Sequence, residues 1–222
     1  GDLTSKESLE LQTIKLPKSL REYTARMVDF QKFISETEIQ TSQWMKQYIK
    51  DLGFKGLVTQ YNNWPSIQMD SVRSQLEWID MHSYHDEVFS FTPGSTINQN
   101  SSLGDMGRYV RRLAVTRQIN KPFSVTEYGQ PFWNRYRFEA GLMVSAMAGL
   151  QDWDFTCIHA EGAIDLTLNQ TVSRKAAIHP YGIGIDPIAR ASETLATLIQ
   201  LRRDIRSANH SIVVNVSGKR IF

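Results

Sequence analysis

The sequence predicts an α/β protein built from parallel βα units. Short apolar runs ending in polar residues recur along the chain, capped helical patterns lie between them, and the two kinds of segment alternate. Strands that run the same way need a crossover long enough to hold a helix, so this alternation implies a parallel sheet. With 222 residues, 41% hydrophobic and 22% charged, the chain has enough apolar material for one or two cores.

Residues 1–19 are polar, lack a sustained period and begin with Gly1-Asp2, as expected of a connecting segment entered partway through a larger protein. Ser19 with Glu22 three residues on has the form of a capping box and predicts a helix start. Met27, Phe30, Ile34, Met45, Tyr48 and Leu52 fall at helical spacing as its apolar face, and Gly53 is placed for a left-handed C-terminal cap. Candidate strands follow at Gly56–Thr59, Trp78–Met81, Phe123–Thr126 and Phe155–Ile158. Between the last three lie helical patterns over 106–119, with Asp105 as cap, and 136–150, with Asn134 as cap. Asp186-Pro187 opens a final helix whose apolar face is Ile188, Ala191, Leu195 and Leu198, and Tyr181–Gly184 is a turn before it. Residues 20–206 thus contain four βα units, half of a (β/α)8 barrel of about 250 residues. Residues 207–222 include a weakly alternating stretch, 211–216, that predicts the start of a C-terminal β extension.

Several partners are disfavoured. The 25 Lys and Arg are scattered against 23 Asp and Glu, without the basic stripe of a nucleic-acid interface. No apolar run approaches the roughly 20 residues of a spanning helix, so no membrane partner is expected. Cys157 is the only cysteine, which excludes an internal disulfide or a cysteine metal cluster and leaves the compartment open, a secreted or periplasmic one included. No cofactor loop is found: a phosphate-cradling Gly-rich motif and a nucleophile elbow are both missing.

Chemistry in parallel βα folds stands at the C-terminal ends of strands. Four such ends are legible: Gln60–Trp64, His82–His85, Glu127–Gln130 and His159–Gly162. Their polar and aromatic side chains suit sugar, which is held by hydrogen bonds to hydroxyls and by stacking on ring faces. Glu127 is the focal residue, because a buried strand opens into a loop at its carboxylate. A structural ion pair with Arg108, Arg135 or Arg137 is the plain alternative. His82 and Tyr84, on the neighbouring strand end, are candidate donors that would hold Glu127 ionised.

The segments Asp80-Met81-His82-Ser83-Tyr84-His85 and Ser124-Val125-Thr126-Glu127-Tyr128-Gly129-Gln130-Pro131 resemble strands six and seven of clan A glycoside hydrolases. These are retaining (β/α)8 enzymes that include cellulase-like and β-galactosidase-like families. The resemblance extends to the long helix before strand five, the Thr59–Trp64 strand-five end and the helix after Asp186-Pro187. It implies the C-terminal half of a barrel, strands five to eight, acting on a β-linked oligo- or polysaccharide. Glu127 would be the nucleophile and Tyr84 its hydrogen-bond donor, with His82, Asn62 and Asn63 on sugar hydroxyls. Trp64 and Trp133 are candidates for ring stacking, whereas Trp44, Trp78 and Trp153 are read as packing. The clan's acid/base glutamate follows an asparagine at the end of strand four, and no Asn-Glu pair occurs in this sequence. An N-terminal half or a second chain is therefore expected to supply it. The clan often has a tryptophan near the end of strand eight, where this chain has His159 and Glu161 as substitutes.

Two alternatives have a basis in the residues. A half-barrel without catalysis would only bind carbohydrate. A metal-dependent hydrolase would gather His82, His85, Glu127 and His159, on the weak signal of a His-X-X-His strand end.

Overall fold

Three of the four expected strands form one parallel sheet in the computed structural model, which describes residues 3–19, 24–86, 88, 96–105, 107–159, 181–184 and 186–216. The elements among them are α1 (Ala25–Asp51), α2 (Ile67–Arg73), β1 (Ile79–Tyr84), α3 (Arg108–Ala114), β2 (Phe123–Gly129), α4 (Glu139–Gln151), β3 (Phe155–Ile158) and α5 (Pro187–Arg202). The protein is mixed α/β with strand order β1-β2-β3. Two compact units divide the chain: Gly1–Gln60 with Ser66–Glu77 and Val213–Phe222, and Tyr61–Pro65 with Trp78–Ile212.

The first unit contains α1 and α2. Thr24, not Ser19, caps α1, its hydroxyl accepting the Met27 N–H at 3.2 Å; Glu22 lies outside the described residues. Gly53 takes the left-handed conformation expected of it, φ 93°, and its N–H closes on Lys50 O. The buried positions of α1 are Met27, Ser35 and Ser42, while Met45, Tyr48 and Leu52 are exposed, which corrects the apolar face read from the sequence. Hydrogen bonding explains part of this: Gln68 on α2 donates to Gln31 O and Ser35 Oγ, both at 3.1 Å, so a small hydroxyl residue fits the contact. Trp44 is also corrected, being exposed and stacked on Tyr48. Residues 56–59 form no strand. The Val58 N–H donates to the Glu77 carboxylate at 2.8 Å instead of to a ladder. Ahead of α1, Glu7 accepts both guanidinium arms of Arg26, at 2.5 and 2.6 Å. Residues 211–216 carry no strand either, and Ile212 is almost fully exposed.

The second unit holds the sheet. Its apolar face, Ile79, Met81, Phe123, Val125 and Tyr128, packs in one cluster with Tyr109, Val110 and Leu113 of α3 and with Ala140, Val144 and Ala148 of α4. Trp153 closes this cluster against Phe123, ring centroids 5.1 Å apart, in the packing role expected of it. The α3 helix is shorter than the 106–119 pattern; Asp105 still accepts the Arg108 N–H at 3.0 Å. Asn134 accepts the Tyr136 N–H in a turn that precedes α4 instead of capping it. Asp186 caps α5 as expected, bonding the Ile188 N–H with Pro187 in the first turn, and also pairs with Arg137.

The buried positions of α5 are Ala189, Ser192 and Ala196, while Ile188, Leu195 and Leu198 are exposed, another correction of the apolar face. Close approach to α4 is the reason. A Cβ added to Gly141 would lie 2.6 Å from Glu193 Oε1 and 3.0 Å from Ser192 O, so only small residues fit between these helices. The same contact partly buries Glu193, whose Oε2 accepts the Tyr128 hydroxyl at 2.5 Å.

Burial pushes the Glu193 carboxyl from 4.5 up to about 7, against the partial pull of the Tyr128 hydrogen bond. A carboxyl raised in this way stabilises the fold in its protonated form. That contribution is full below pH 4.5 and is lost as pH rises through about 7. Glu193→Gln should therefore remove roughly 3 kcal/mol of pH dependence between those limits. Urea unfolding of both proteins at pH 4.5 and 7.5 checks this; equal slopes with pH would show that folding does not raise the Glu193 pKa.

Candidate active site

Opposite the apolar face, the sheet carries Asp80, His82 and Tyr84 on β1 and Ser124, Thr126 and Glu127 on β2. Parallel strands covered on both faces are usually apolar on both, so a face of this polarity marks a site. Side chains alternate along a strand, and Thr126 and Glu127 are consecutive, yet both reach His82. The register explains how. Asp80 pairs with Ser124 and His82 with Glu127, so β2 has one residue more than β1 across this step. The same excess occurs against β3, where Val125 pairs with Thr156 and Tyr128 with Ile158. This is a β-bulge, and it re-aims Glu127 from the helix side to the polar side.

At that point Glu127 Oε2 accepts the Tyr84 hydroxyl and stands 3.1 Å from His82 Nδ1. Its side chain remains 36% exposed, so the carboxylate is open to a ligand. Burial first, then the hydrogen bond and charge of Glu127, raise the Tyr84 hydroxyl well above its ordinary range, so it stays protonated and donates. His82 Nε2 lies 2.9 Å from Thr126 Oγ and 3.5 Å from Asp80 Oδ2. Asp80 is buried and accepts Ser124 Oγ at 2.6 Å, the Thr126 N–H at 3.0 Å and Thr126 Oγ at 2.5 Å. Burial opposes its ionisation, but the hydrogen bonds from His82, Ser124 and Thr126 together hold its carboxyl below the ordinary range.

An aromatic wall completes the arrangement. Tyr84 packs at 5.0 Å on Tyr181 and edge-on at 5.7 Å to His159, and His159 lies 5.8 Å from Tyr181. Gly129 permits this wall, since a Cβ there would approach Tyr181 to 3.3 Å and Tyr84 to 3.5 Å. The segment 61–65 is tied to β1 by the His82 N–H donating to Asn62 O at 2.7 Å. Within it Tyr61 and Trp64 both have left-handed backbones, φ 62° and 59°, a strained conformation for such residues that often accompanies function. Trp64 and Trp133 are 80% and 68% exposed, whereas Trp153 is buried.

Among the expected site residues, Glu127, Tyr84, His82 and His159 come together. Asn62 reaches β1 through its backbone, Asn63 is exposed, and Glu161 lies outside the described residues. The guanidinium of Arg137 is committed to Asp186, so it is not the structural partner of Glu127. His85 bonds Asn100 O at 3.0 Å and packs near Tyr109 of α3, apart from the cluster. Among the described residues, no group of three or more His, Cys, Asp or Glu side chains is arranged to hold a metal ion. Neither Asp80 nor Tyr181 is marked as a site residue by the sequence: Asp80 sits inside an apolar strand pattern, and Tyr181 reads as the start of a turn before α5.

Crowding the aromatic wall should be measurable. Gly129→Val would press on both tyrosine rings and is expected to cost about 1–3 kcal/mol of stability, read as a lower urea midpoint with an altered near-ultraviolet circular dichroism signal. No change in either would mean that the two rings do not pack over Gly129. No family model matches the chain, and no curated protein matches it.

Proposed function

We propose that the chain is a half-barrel of a retaining glycoside hydrolase, strands five to eight, with Glu127 as nucleophile. The observation that carries this is a partly exposed carboxylate at a strand end, held by the protonated hydroxyl of Tyr84 and the ring of His82. Such donors keep a carboxylate ionised and aimed, as attack on an anomeric carbon requires. Exposed Trp64 and Trp133, with Asn62, Asn63, His82 and His159, supply stacking and hydrogen-bonding groups of the kind that hold a β-linked saccharide.

Retaining hydrolysis needs a second carboxyl group about 5–5.5 Å from the first, to protonate the leaving oxygen. Among the described residues Asp80 is the other carboxylate of the cluster, but it is buried and already accepts three donors from β2. It is thus unsuited to that task, and the acid/base group is assigned to an N-terminal half-barrel or a second chain. The lack of a second carboxyl among the described partners of Glu127 also favours one competing reading, a half-barrel that binds carbohydrate without cleaving it.

Substrates with an activated leaving group separate the two. Dinitrophenyl glycosides need no acid to depart, so the chain is expected to cleave at least one of the β-glucoside, β-galactoside or β-mannoside forms, and Glu127→Gln to lose that turnover by a factor of at least 10³ while keeping sugar affinity. Equal rates in wild type and variant would remove Glu127 from the chemistry; affinity without turnover in either would leave a binding protein. Tyr84→Phe should slow the same reaction and move the acidic limb of its pH profile upward, because the ionised carboxylate loses a donor. An unchanged profile would show that the hydroxyl does not serve Glu127.

A further inference from the structure

The hydrogen-bond inventory around His82 fixes more than its position. Asp80 Oδ2 lies 2.5 Å from Thr126 Oγ and needs the hydroxyl proton for that contact. Ser124 gives its own proton to Oδ1. The Thr126 oxygen therefore turns a lone pair towards His82 Nε2, 2.9 Å away, and among the described residues the other group near Nε2 is Asp80 Oδ2 at 3.5 Å. Both neighbours accept, so Nε2 must carry a proton. Across the ring, Nδ1 faces Glu127 Oε2 at 3.1 Å, an oxygen that also receives the Tyr84 proton. With Nε2 already a donor, attraction at Nδ1 requires one further proton between the ring and the carboxylate.

We propose that Asp80 is a positioning residue for Glu127. Acting through the Thr126 hydroxyl, it locks His82 with a proton on Nε2 and so makes His82 Nδ1 and Glu127 a pair that shares one proton. Among the described residues the groups facing His82 are Asp80, Thr126 and Glu127, and Tyr84 reaches the pair through Glu127. Asp80 holds the bulge as well, because its Oδ1 accepts the Thr126 N–H at 3.0 Å. One side chain thereby sets both the direction of Glu127 and the tautomer of its neighbour. The consequence for catalysis rests on Glu127 being the nucleophile; the tautomer does not.

The test is nitrogen NMR of the histidine-labelled 222-residue protein. In wild type, His82 Nε2 should resonate as a protonated ring nitrogen at neutral pH. In Glu127→Gln the side-chain amide donates to Nδ1, so Nδ1 should become a bare acceptor while Nε2 keeps its proton. Asp80→Asn frees the Thr126 hydroxyl to donate to Nε2 and should shift the ring towards the Nδ1–H form, whereas Thr126→Ser, which retains the hydroxyl, should match wild type. A bare Nε2 in wild type overturns the proposal without any variant, even if Asp80→Asn fails to fold. A folded Asp80→Asn with the wild-type tautomer overturns it too. Where a dinitrophenyl glycoside is cleaved, Asp80→Asn should lower kcat about 10–100-fold with KM little changed. The wild-type NMR pattern without turnover in any protein would retain the positioning role and reject the hydrolase.

Discussion

One extra residue in β2 is the constraint on which the site depends. Without the bulge, strict alternation would send Thr126 to the polar side and Glu127 back among the helices, where an unpaired carboxylate is costly. With it, Thr126 and Glu127 lie side by side and Tyr128 takes the inward place, its ring in the core and its hydroxyl on Glu193. A bulge leaves a ladder group unpaired, and here the Asp80 carboxylate accepts the Thr126 N–H that the irregularity frees. The register of β2 is thus held from both sides, by Asp80 on the polar face and by Tyr128 in the apolar cluster.

This arrangement couples stability to the site. Glu193 is partly buried by the close α4–α5 approach that Gly141 and Ser192 allow, and it bonds the residue directly after Glu127. Small side chains at a helix contact would ordinarily be read as helix packing alone. Here the tight contact brings a carboxyl to Tyr128 and fixes the inward end of the bulge. The outer layer contributes to aiming Glu127 without touching it.

The strands near Val125 and Cys157 are legible because apolar runs bounded by polar residues identify strands, although β3 buries none of its four residues, and Glu127 is legible because an acidic residue ends one of them. The helix at Asp186-Pro187 was read from its cap, which is a local signal. Where the structure departs from the sequence pattern, partners distant in sequence are the cause. Residues 56–59 have a strand composition, but a strand exists only where a ladder partner does, and Glu77 takes the Val58 N–H. Leu195 and Leu198 are apolar at the right period, yet α5 buries Ala189, Ser192 and Ala196 because packing distance, not hydropathy, selects the contact face. The bulge has no composition of its own: Ser-Val-Thr-Glu-Tyr reads as an ordinary strand. So the sequence reveals Glu127 as a candidate, but neither the reason it points towards His82 nor the part played by Asp80.

The central claim is that Glu127 forms a covalent bond to sugar, and trapping measures it most directly. The fluorine of a dinitrophenyl 2-deoxy-2-fluoro glycoside slows both formation and breakdown of a glycosyl-enzyme, while departure of dinitrophenolate without an acid restores formation alone, so the intermediate accumulates. Incubating the chain with the gluco, galacto and manno forms and mapping the product by peptide mass spectrometry should place one fluoroglycosyl group, as an ester, on the peptide side chain of Glu127. An adduct on another carboxylate, or none at sugar concentrations where binding is saturated, would contradict the account.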